Sequence, residues 1–108
     1  MPEIYGSWAE RRANIVTLGT LTTTAATDGV EVSGANFTFV HNVTGNNVTV
    51  VDEGSMDGTV WFALDEAKSH GQTGIDAHFY PGRIVRFVRS RVTSIGAGES
   101  VTITMACD

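Results

Sequence analysis

The chain has 108 residues, seven basic and twelve acidic side chains for a net charge of −5, and 42% hydrophobic against 18% charged residues. That describes one domain with one modest core, too apolar to be disordered and too acidic for a protein that grips a phosphate backbone. The single cysteine, Cys107, excludes an intrachain disulfide and a multi-cysteine metal cluster. No apolar stretch approaches the roughly 20 residues of a membrane span, and no basic-then-apolar leader opens the chain, so a soluble all-β domain is expected.

Taken in chain order, the first segment is an arm. Ser7-Trp8-Ala9-Glu10 has the spacing of a capping box and predicts one helical turn through Arg12. Ile4, Tyr5 and Trp8 give this arm an apolar face, with Arg11 and Arg12 beside it. The expected division is an arm over residues 1–13 and a β domain over 14–108. A Thr-rich strand is expected from Asn14 to Thr24, and a shorter one at Val30 and Val32. From Asn36 to Thr44 the two-residue period is clear: Phe37, Phe39, His41 and Val43 share one face, Thr38, Val40, Asn42 and Thr44 the other. Val48 and Val50 repeat it, as do Val60, Phe62 and Leu64 within Thr59–Leu64. Asp65 to Tyr80 has no clean period and reads as a long loop with a short helical turn at its start. Val101, Ile103 and Met105 alternate with Thr102 and Thr104 in the last strand.

Turn chemistry separates these pieces. Asp28-Gly29 and Asp57-Gly58 suit the type I′ turns of hairpins, and Thr44-Gly45-Asn46-Asn47 is a further turn. Pro81-Gly82 fits the two central positions of a type II turn. Gly96-Ala97-Gly98 parts the last two strands. Two-faced strands with turns about every ten residues predict an antiparallel β-sandwich or jelly-roll-like domain.

Candidate chemistry is sparse. His70, Asp76 and His78 fall in the expected loop, but their spacing matches no zinc pattern, so they read as surface polarity and no metal is assigned. His41 shares a face with Phe37 and Phe39 and reads as a core or rim histidine. Asp52, Glu53 and Asp57 read as an acidic hairpin tip. No Ser-His-Asp or Cys-His set can be argued, no cofactor is expected, and the expectation is a protein that is not an enzyme.

Arg83, Arg86, Arg89 and Arg91 place four of the seven basic residues in one strand-like stretch. Such a stretch suits an acidic partner, another copy of the chain, edge-strand protection, or pairing with Asp52, Glu53, Asp65 or Glu66 in the same fold. The arginines and the arm residues Ile4, Tyr5, Trp8, Arg11 and Arg12 are the candidate protein interface.

The chain resembles small structural proteins of tailed-bacteriophage virions. The resemblance rests on the short arm, the Thr-rich early strand, Asn42-x-x-Gly-Asn-Asn47, and the hairpin from Asp57 to Asp65. It continues through Tyr80-Pro81-Gly82-Arg83 and the closing strands around Ile95 to Ser100. It implies a capsid decoration or cement protein, made in the host cytoplasm and placed on the virion, that stabilises the shell by multivalent contacts. The implied partners are the major capsid protein or other virion proteins and further copies of itself, a trimer foremost, with no nucleic acid and no membrane. The alternatives are a head-tail connector component, or a tail or head-fibre module that binds host-surface carbohydrate by stacking on Trp61 and Tyr80, with Trp8 as a third stacking surface.

Overall fold

The structure is a computed structural model and describes residues 15–108. It consists of nine antiparallel strands: β1 (Ile15–Leu21), β2 (Val30–Glu31), β3 (Phe37–Thr44), β4 (Val48–Ser55), β5 (Trp61–Ala63), β6 (Lys68–His70), β7 (Gly74–Tyr80), β8 (Phe87–Ser94) and β9 (Ser100–Cys107). One sheet has the order β1-β9-β3-β7, the other β2-β8-β4-β5, with β6 also paired to β4. The expected all-β class is what the described residues form. The candidate interface residues of the arm, Ile4, Tyr5, Trp8, Arg11 and Arg12, lie outside the described residues.

The core sits between the two sheets and follows the alternation. Phe37, Phe39 and Val43 of β3 meet Val101, Ile103 and Met105 of β9 on the inner face of the first sheet, and Val48, Val50, Val88 and Val92 line the second. β-branched side chains suit this work because they are stiff and pack well on a pleat. Leu64 and Tyr80 close the edges.

Three expectations need correction. The segment 65–80 is not a long loop: it holds β6 and the seven-residue β7. β7 escaped notice because its polarity is inverted. Ile75, Ala77 and Phe79 alternate cleanly but point out of the sandwich, whereas His78 and Tyr80 point in. Asp52 and Glu53 are not a hairpin tip: they lie within β4 and are 1% and 5% exposed. Neither Asp57-Gly58 nor Asp28-Gly29 forms a type I′ turn, because among the described residues only glycines have positive φ and Gly29 is not one of them. At residues 55–60 the side chains shape the loop instead. Asp57 Oδ1 accepts the N–H groups of Thr59 and Val60, and Ser55 Oγ accepts that of Gly58. Those amide contacts also hold the Asp57 carboxyl below its ordinary range. Gly82 does take the left-handed φ of +68° that the Pro81-Gly82 turn requires.

Candidate functional site

The chain contains three histidines, and the fold gathers all three. His41 projects inward from β3, His78 from its neighbour β7, and His70 reaches them from β6 in the opposite sheet. Ring centroids stand 4.6 Å apart for His41 and His78, 5.2 Å for His41 and His70, and 6.0 Å for His70 and His78. Nδ1 of His41 lies 3.0 Å from Nε2 of His70. One nitrogen from each ring falls within 4.8 Å of the others.

A buried carboxylate orients the cluster. His41 Nε2 is 2.8 Å from Asp52 Oδ1, and both side chains are fully buried. A carboxylate only accepts, so the geometry assigns the proton to Nε2 and leaves the Nδ1 lone pair facing His70. Asp52 also accepts from Ser90 Oγ at 2.8 Å and from Tyr80 Oη at 2.6 Å. Three donors from β3, β7 and β8 thus converge on one carboxylate of β4, which is how a buried charge is tolerated.

His78 differs from the other two. Its Nε2 is buried and makes no hydrogen bond, with Oδ2 of Asp76 standing 3.5 Å away. The same oxygen lies 3.8 Å from Nδ1 of His70. Burial pushes the His70 and His78 rings below the ordinary imidazole range, the adjacent His41 adds to this, and Asp76 opposes it. A solvent-facing crevice of about 350 Å³ runs beside the cluster, lined by residues 69–76, including His70, Thr73 and Asp76.

His70, Asp76 and His78, which the sequence put in one segment, are therefore together in space, and the structure adds His41, Asp52 and Tyr80. The missed signal was a polar residue at an inward position of an alternating strand: His41 in the series Phe37-Phe39-His41-Val43, and Asp52 in Val48-Val50-Asp52.

The arginine stretch is largely engaged within the chain. Arg89 and Arg91 both reach Glu53, at 2.8 and 3.2 Å, and Arg86 reaches Glu31 at 2.8 Å. Arg83 donates to the Pro81 carbonyl. Arg89 also lies 4.3 Å above the Trp61 ring, which is half-buried. Tyr80 is only 2% exposed and its hydroxyl is committed to Asp52, so it offers no face on which a sugar could stack.

A second surface is uncharged, half of it apolar and half threonine or asparagine. On the outer face of the first sheet, Phe79, Thr38, Ala106 and Ile15 form a row across all four strands. Ala77, Val40, Thr104 and Thr17 form the next, and Ile75, Asn42, Thr102 and Thr20 the third. None of the twelve is charged. Ile75 and Phe79 are each 72% exposed, and Ile15 is 50% exposed. The first row floors a shallow groove of about 460 Å³ that Tyr80, Pro81 and Cys107 help to wall.

No family model matches the chain, and no curated protein matches it. Among solved structures it is similar to a chain in the structure of infectious bursal disease virus, Gx strain, at 7% identity and a TM-score of 0.45. The similarity covers 86% of this chain and 31% of that one.

Proposed function

We propose that the protein is a structural component of a virus particle that works by adhesion rather than by catalysis. In this reading the uncharged outer face of the first sheet is laid against a protein subunit of the particle. The observation that carries it is this twelve-position face with no charge, bearing Phe79 and Ile75 nearly in full view. Large apolar side chains held in view on an uncharged sheet face suit burial against another protein. The resemblance to bacteriophage virion proteins supplies the finer version: a decoration or cement protein on the capsid shell, present in closed rings such as trimers, with the arm over residues 1–13 and the arginines as auxiliary contacts. Weak contacts repeated in many copies reinforce one another because each later one is effectively intramolecular.

The test is co-sedimentation of the full chain with purified particles lacking it, together with its mass in solution. Attachment to shells that Phe79→Ser and Ile75→Ser each abolish, with an unchanged circular dichroism spectrum, supports the reading. A monomer that binds no particle, or one whose binding ignores both substitutions, overturns it.

A further inference from the structure

The histidine cluster lies apart from the uncharged face and is not needed by it. Three imidazoles from three strands, drawn from both sheets, meet at the β7 edge of the sandwich, and they are all the histidine the chain has. Surface polarity does not explain this, because His41 is fully buried and His70 is 9% exposed. Core packing does not explain it either. A core histidine normally has both ring nitrogens partnered, yet Nε2 of His78 is buried without a hydrogen bond.

We propose that His41, His70 and His78 bind a divalent cation of the zinc class, through Nδ1 of His41 and the Nε2 atoms of His70 and His78, and that the cation clamps the two sheets together. Zinc holds imidazole nitrogens at roughly 2.0–2.1 Å, which sets tetrahedral ligand atoms roughly 3.4 Å apart. The observed separations, from 3.0 Å for His41 and His70 to at most 4.8 Å within the group, bracket that value. Small side-chain rotations close the difference.

The supporting groups are already in position. A metal-bound histidine donates its other N–H to a carboxylate or carbonyl, which fixes the tautomer. Asp52 does this for His41. Asp76, with Oδ2 3.8 Å from Nδ1 of His70, stands where it can do so for His70 once Nε2 takes the metal. The crevice along residues 69–76 reaches His70 and Asp76 from solvent, and water or the Asp76 carboxylate would fill the fourth position. Imidazole ligands favour zinc, copper, nickel and cobalt over magnesium and calcium.

The experiment uses the untagged full chain stripped with chelator and titrated with Zn²⁺, then with Co²⁺ as a visible probe. The proposal expects one equivalent bound with micromolar or tighter affinity, cobalt ligand-field bands, and a Tm several degrees higher with zinc. His70→Gln and His78→Gln should each weaken binding by more than about 100-fold, and Asp76→Asn by about 10-fold. Should a variant fail to fold, imidazole ¹⁵N spectra of the wild-type chain decide the matter, since a bound zinc must shift exactly three histidines. Absence of stoichiometric binding, binding that survives the double substitution in a folded chain, or zinc that leaves any of the three rings unshifted overturns the proposal.

Discussion

The phenol of Tyr80 donates to Oδ2 of Asp52 at 2.6 Å, tying β7 of one sheet to β4 of the other. Tyr80 is 2% exposed and Asp52 1%, so water cannot replace either partner. Tyr80→Phe keeps the ring and removes one of three donors to a buried carboxylate. The expected loss of stability is about 1.5–3 kcal/mol, the range for a hydrogen bond to a charged group. Urea unfolding followed by circular dichroism measures it, and an unchanged midpoint would show that Asp52 does not depend on this donor.

The same contact makes stability sensitive to alkali. Burial, reinforced by the neighbouring Asp52 charge, holds the Tyr80 hydroxyl well above the ordinary tyrosine range. The folded chain therefore keeps this proton at a pH where the unfolded chain releases it. The contribution is fully present below about pH 10, the unfolded tyrosine value, and erodes as pH rises beyond it. Tm measured from pH 8 to 11 should fall above pH 10, and Tyr80→Phe should flatten that fall relative to wild type.

On the outer face of the second sheet, Glu53 is shared by Arg89 and Arg91. The Glu53 side chain is 6% exposed and that of Arg89 23%, so this pair is screened less than a surface pair. A double-mutant cycle of Glu53→Gln and Arg89→Gln should give a coupling energy of about 1 kcal/mol. The coupling should shrink in high salt. A value near zero would show that Arg91 alone satisfies Glu53.

Gly82 tests the backbone. A Cβ there would meet nothing within 4 Å, yet φ is +68°. Gly82→Ala should therefore cost about 1 kcal/mol through conformation alone. Thermal unfolding reads this directly, and a gain in stability would mean that the turn relaxes out of the left-handed region.

Much of the sandwich was legible because β9 carries apolar side chains inward at every second position and β3 does so except at His41. The Asn36–Thr44 and Val101–Ala106 patterns correspond to β3 and β9 within a residue or so. β4 was legible only at Val48 and Val50, since beyond them the inward position goes to Asp52, whose burial depends on donors from three other strands. Such donors are distant in sequence and leave no local trace. The histidine cluster was hidden for the same reason. His41 lies 29 residues before His70 and meets it only because the two sheets pack face to face, while the β3–β7 pairing brings in His78. The pairing of Arg89 and Arg91 with Glu53 was open to sequence reading as one option among several, and strand register decided it.

The outward-facing Ile75 and Phe79 bear on how β7 finds its alignment. Sliding this strand by one position against β3 would bring both large side chains into the interior and expel His78 and Tyr80 to solvent. Burial of oil would favour that slip. What opposes it is the Tyr80–Asp52 bond and the anchoring of the following turn, where Gly82 N–H meets Asn36 Oδ1 and Arg83 N–H meets the Ala35 carbonyl. Polar partnerships, rather than hydrophobicity, thus arbitrate between two competing alignments of this edge.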